Sequence, residues 1–131
     1  MQTKQSLFDP TLPADNHNAS YWSDAHGFAP SLAIYEAATK SPGPILVVCE
    51  DNESVDRFKR ELSYFCADDD NLKIFSLPDW ETLPYDNFSP HQDIISDRLN
   101  ALYHLPQLEQ GVLVLSITSL MHKLPPHRYI D

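Results

Sequence analysis

The sequence predicts an α/β domain, a parallel β-sheet with helices on its flanks. Two patterns carry that expectation. Helical stretches alternate with short apolar runs in the order helix, strand, helix, strand, loop, helix, strand, helix, and such alternation favours parallel strands joined by helical crossovers. Two of the three runs, residues 45–49 and 112–115, are apolar without interruption, as expected of strands buried on both faces. A length of 131 residues with 42% hydrophobic content is that of one domain with a core of its own.

Residues 1–27 read as an irregular amino-terminal arm, because Pro10, Pro13, Asn16, Asn18 and Gly27 break any periodicity. Tyr21, Trp22 and Phe28 are large enough to anchor this arm on a core. The α/β domain then occupies residues 28–131. A first helix is expected over 29–40, with Pro30 in its opening turn and Leu32, Tyr35 and Ala38 at helical spacing; Ser41-Pro42-Gly43-Pro44 stops it. After the strand at 45–49, Asp51 or Asn52 can cap a second helix, whose apolar face is Val55, Phe58, Leu62 and Phe65. Asp68-Asp69-Asp70-Asn71 is a solvated turn, since a metal loop needs a fuller ligand pattern. Residues 72–77 form a second strand, and residues 78–90 a loop rich in proline and aromatics. A third helix begins at Pro90 or His91, with Ser89 as its cap, and runs to about residue 105 behind a buried stripe of Ile95, Leu99, Leu102 and Leu105. The third strand, 112–115, precedes a short helix over 118–123 that Pro125-Pro126 ends. A chain stopping so soon after that proline pair reads as a cut through a longer polypeptide.

Composition excludes several functions. Nine Lys and Arg stand against 19 Asp and Glu, for a formal charge of −10. Phosphate backbones are bound by clustered cations, so autonomous DNA binding is not expected. The charge serves solubility or presents an acidic face to a basic protein. Cys49 and Cys66 have neither C-x-x-C nor zinc spacing and read as buried free thiols of a reducing compartment. No apolar run follows the amino terminus as in a signal peptide, and none approaches the roughly 18 residues of a membrane span. A cytoplasmic location is expected.

The chemistry-bearing motifs are mostly absent. The chain holds only 3 glycines and no Gly-Lys-Ser/Thr. A phosphate-binding loop needs glycines so that successive backbone N–H groups can wrap phosphate oxygens. The segment before the first helix, residues 17–28, has one glycine and no lysine. ATP hydrolysis by this segment is therefore not expected. No G-x-S-x-G occurs, and Cys49 has no base beside it. On the third helix Asp93, Asp97, Asn100 and His104 recur on one face. They read as a solvent-facing stripe; with His91 nearby, a divalent-metal site is the alternative. In the loop, Trp80, Tyr85 and Phe88 stand among Asp79, Glu81 and Asp86. These aromatics either fold back on the core or contact a partner or neighbouring domain.

The stretch from Leu77 to His104, with its core Asp79-Trp-Glu-Thr-Leu-Pro-Tyr-Asp-Asn-Phe-Ser-Pro-His-Gln-Asp-Ile-Ile-Ser96, resembles the amino-terminal part of the bacterial transcription-repair coupling factors. Gly111-Val-Leu-Val-Leu115 and Leu120-Met121 fit the same family. The resemblance is good over about 44–131 and poor before it. It implies a degenerate RecA-like fold, similar to the first domain of the repair protein UvrB but without that protein's phosphate loop. The parent it implies is an ATP-dependent DNA translocase that removes stalled RNA polymerase and recruits nucleotide excision repair proteins. ATP and Mg²⁺ would be bound by the parent's motor, and UvrA and RNA polymerase by parent domains outside this segment. No catalytic, cofactor-binding or metal-binding residue carries over. The segment is expected to act as a non-catalytic scaffold against other domains of the parent. A stand-alone acidic protein-interaction domain is the alternative.

Overall fold

A computed structural model describes residues 8–10, 12–13, 19, 21–68, 71–80 and 91–124. Its elements are α1 (Ala29–Lys40), β1 (Ile45–Cys49), α2 (Asn52–Phe65), β2 (Lys73–Leu77), α3 (Gln92–His104), a short 3₁₀ turn (Leu105–Gln107), β3 (Gly111–Ser116) and α4 (Ile117–Met121). The three strands form one parallel sheet in the order β1-β3-β2. This is the expected α/β architecture, a parallel sheet flanked by helices, and it agrees with a RecA-like fold fragment.

The strand order decides where the helices go. The chain crosses from β1 to β2 through α2, then turns back through α3 to place β3 between them. Parallel crossovers are right-handed, so reversing the direction of travel puts α2 and α3 on opposite faces. Two apolar clusters record this. On one face Val55 and Leu62 of α2 and Ala38 of α1 meet Cys49, Val112 and Val114. On the other, Ala101 and Leu102 of α3 meet Phe75, Leu77, Leu113 and Leu115.

Local sequence sets each helix. Asp51 caps α2, its Oδ1 accepting from the Ser54 N–H at 2.8 Å. The α2 face reads as expected, with Val55 and Leu62 fully buried and Phe58 packed beside them. On α1 the deepest residues are the small ones, Ser31, Ala33, Ala37 and Ala38, which let the helix approach closely. The Ser31 hydroxyl donates to the Glu61 carboxylate of α2, and the Tyr35 and Phe65 rings stack at 6.1 Å.

Four expectations are corrected. First, β1 is not buried on both faces: Leu46 is 52% and Val48 45% exposed, because β1 is an edge strand and α3 lies over β2. Second, the sheet-facing stripe of α3 is Arg98, Ala101 and Leu102, while Leu99 is 58% exposed. Third, α3 is capped by His91, whose Nδ1 accepts from the Asp93 N–H; Ser89 lies outside the described residues. Fourth, Tyr21, Trp22 and Phe28 do not anchor the arm, being exposed. The arm is tied instead by Asp9, 2.5 Å from Lys40 Nζ. Cys49 is buried and Cys66 partly so.

Gly111 opens β3 with φ at +156°, and a Cβ there would stand 2.5 Å from the Lys73 carbonyl oxygen. Backbone cannot retreat from backbone without opening the β2–β3 ladder. Gly111→Ala is expected to lower unfolding stability by about 2–3 kcal/mol, read by urea denaturation.

Candidate functional site

Open parallel sheets hold ligands beyond the carboxyl ends of their strands. Here that edge gathers Asn52 after β1, Pro78, Asp79 and Trp80 after β2, Ser116 at the end of β3, and Ser119 and His122 after it. Asn52 binds the chain as it leaves β2: its Oδ1 accepts from the Asp79 N–H at 2.7 Å and its Nδ2 donates to the Asp79 carbonyl at 3.1 Å. Asp79 Oδ1 in turn accepts from the Trp80 N–H at 2.9 Å and lies 3.4 Å from His122 Nδ1.

Arg98 occupies the centre of this edge and is 2% exposed. Helical side chains lean toward their helix amino terminus. Because α3 runs back against the strands, that lean carries Arg98 up to the carboxyl edge. Its Nη1 donates to the Pro78 carbonyl at 2.5 Å and to Ser119 Oγ at 3.1 Å. Its guanidinium lies over the Trp80 ring, 4.4 Å from the centroid, a cation–π geometry. Arg98 Nε is buried with no hydrogen-bond partner among the described residues. Burial pushes the guanidinium pKa down, and the Asp79 carboxylate pulls it back up. Ser119 is held ready by α4: Ser116 Oγ caps that helix, accepting from the Ser119 N–H at 3.2 Å.

The aromatic expectations divide. Trp80 belongs to this cluster, half-buried beneath Arg98. Tyr85 and Phe88 lie outside the described residues, as do Glu81 and Asp86. The polar stripe of α3 is not one surface. Asp97 is taken into an ion pair with Lys59 at 2.6 Å and accepts from Ser76 Oγ at 3.0 Å. His104 stacks on Phe75 at 5.3 Å, with Nδ1 2.9 Å from the Asn100 carbonyl. Asp93 is exposed beside His91. No group of three or more candidate metal ligands comes together among the described residues. Asp97, read as part of a solvent-facing stripe, is instead only about a third exposed.

Sequence reading missed Asn52, Arg98 and Ser119 as a unit. One signal was present: Ile94, Arg98, Ala101 and Leu105 follow helical spacing, which places a cation in the middle of an apolar stripe. Before α1, Asp24 and Gly27 adopt positive φ values of 59° and 60°, and α1 begins without a side-chain cap.

No family model matches the chain. The transcription-repair-coupling factor of Escherichia coli (strain K12) is 38% identical over 120 residues, covering 92% of this chain and 10% of that protein. The transcription-repair-coupling factor of Haemophilus influenzae is 39% identical over 128 residues, covering 98% and 11%. That of Myxococcus xanthus is 37% identical over 87 residues, covering 63% and 7%. The chain thus spans 10–11% of the length of the first two relatives.

Two outcomes test this edge. Arg98→Ala leaves the Pro78 carbonyl and Ser119 without their donor and uncovers Trp80. It is expected to lower stability by about 2–4 kcal/mol and, in a Trp22→Phe background, to red-shift Trp80 emission. Arg98→Lys is not expected to restore the emission, because an ammonium lacks the flat face that stacks on the ring. The Asp51 cap is expected to show in acid. Hydrogen bonds from Ser54 hold the Asp51 carboxyl below its ordinary value of 3.8. A depressed native pKa gives stability that is full above the unfolded value and lost as pH falls through the native one. The gap in urea midpoint between wild type and Asp51→Ala is therefore expected to be widest near neutrality and to close as pH drops below that ordinary value.

Proposed function

The chain belongs to the transcription-repair-coupling factor family, and from that membership we propose that it is a non-catalytic scaffold segment of such a factor. The observation that carries this reading is the carboxyl edge of the sheet. At the carboxyl edge, where open parallel sheets hold ligands, Asn52, Arg98, Ser119 and the chain at Pro78–Trp80 bond to one another. The chain contains no Gly-Lys-Ser/Thr to build a phosphate loop. The edge is thus made to be stiff. A rigid loop root, with Trp80 clamped under Arg98, suits a surface against which other domains are positioned.

In this reading the parent protein is the ATP-dependent DNA translocase that displaces stalled RNA polymerase and brings in excision repair proteins. ATP and Mg²⁺ bind its motor, elsewhere in the polypeptide. Contacts with UvrA and RNA polymerase belong to other parent domains, and the segment contributes by holding those domains in place. With 9 Lys and Arg against 19 acidic residues, it makes no DNA contact of its own. No helix among the described residues is long and apolar enough to cross a membrane.

The test is deletion of this segment from the full-length factor, followed by measurement of basal ATPase and translocation. Altered rates with the motor motifs intact are expected. Rates equal to wild type would overturn the scaffold reading.

A further inference from the structure

We propose that the outer rim of β2 is closed by a charged strap, Lys59–Asp97–Ser76, whose work is to keep a second copy of the chain from adding a strand there.

Among the described residues β2 pairs on one side only, with β3. A strand in that position presents unpaired N–H and C=O groups along its free side, a template on which another chain can extend the sheet. Its central residues, Ile74 and Phe75, are of types that favour strand pairing.

Side-chain alternation shows what lies across that free side. Phe75 and Leu77 belong to the cluster under α3, and Ile74 packs on the cluster under α2. Successive strand residues point to opposite faces, so Ser76 points with Ile74 toward α2. Its Oγ nevertheless donates to Asp97 Oδ2 of α3 at 3.0 Å. The same carboxylate oxygen accepts from Lys59 Nζ of α2 at 2.6 Å. A carboxylate from one face that bonds two groups of the other must pass round the sheet, and β3 occupies the inner side of β2. The route is therefore the outer rim, and the ion pair lies across it at Ser76.

An added strand has to come within about 4.8 Å of β2. At Ser76 that space holds an ammonium and a carboxylate already bonded to each other. An approaching chain would have to part them and bury the separated charges against its own backbone, a costly exchange. Toward the amino end of β2 the exposed Lys73 adds a charge of the kind that natural edge strands use against pairing. As a link between helices, an ion pair about a third exposed on both sides contributes little stability. Its position across an open strand edge gives it this other role.

The experiment removes both ions from the full-length factor. Lys59→Ala with Asp97→Ala leaves the net charge unchanged, so association of the variant is not an effect of lost charge repulsion. The double variant is expected to self-associate several-fold more tightly than wild type in sedimentation velocity. Amides within residues 73–77 are expected to exchange more slowly in its associated form than in its monomer. The reversed pair, Lys59→Asp with Asp97→Lys, is expected to restore wild-type sedimentation. A double variant that sediments as wild type would overturn the proposal. So would association that leaves exchange at residues 73–77 unchanged, which would place the contact elsewhere, and so would association that the reversed pair does not relieve. Should the double variant lose its native circular dichroism, Lys59→Ala alone, which keeps the Asp97–Ser76 bond, carries the same comparison with the same readings.

Discussion

Pairing on both edges of β3, to β1 through Ile45–Val112 and onward and to β2 through Lys73–Gly111 and onward, leaves that strand no surface for water. All six of its residues are buried. Everything else is arranged around this one placement. A strand inserted between its two predecessors needs crossovers that travel in opposite directions, and right-handedness then sends α2 and α3 to opposite faces. The two cores exist because of that reversal. So does the Gly111 requirement: β3 enters beside Lys73, whose carbonyl oxygen leaves no room for a Cβ at that position.

The same placement explains the energetics of the carboxyl edge. An α3 that lies over β2 and runs against the strands aims Arg98 at the exit of β2. Burying a guanidinium is costly unless its donors are used. Here the Pro78 carbonyl and Ser119 use Nη1, the Trp80 face takes the charge, and Asp79 offsets it from nearby. Nε is left without a partner. A buried cation under such terms holds several elements in one geometry, since moving α3, α4 or the β2 exit forfeits its compensation. That is a rule for rigidity, and it is what the proposed scaffold role asks of this edge.

What was legible in the sequence follows the same physics. Local signals translated directly: α1 spans the residues its Pro30 and Pro42 bracket, Asp51 caps α2, and the Val55–Leu62 face is the buried one. Non-local facts did not. Residues 45–49 and 112–115 look alike as strings, yet one run lies at the edge and the other in the centre, because pairing order is set by the crossovers. Leu99 and Arg98 were exchanged for the same reason: periodicity identifies a stripe about 100° wide, and only the neighbouring elements decide which margin of it meets the sheet. Within the candidate site, Trp80 was visible by its chemistry. Asn52 and Ser119 were not, since a short polar residue after a strand reads as a cap or turn until the backbone it serves is known.

Trp80 then takes a meaning that composition alone does not supply. An aromatic in an acidic, proline-rich loop reads equally as core filler or as interface anchor. Its ring is capped on one face by Arg98 while its backbone is set by Asp79, itself clamped by Asn52. A side chain fixed at both root and face loses little entropy when a neighbour packs against what remains exposed, and preorganised aromatics of this kind favour association. The carboxyl edge stiffens the chain where it leaves β2. That stiffening requires no phosphate loop, and a glycine-rich one at this edge would weaken it by adding backbone freedom.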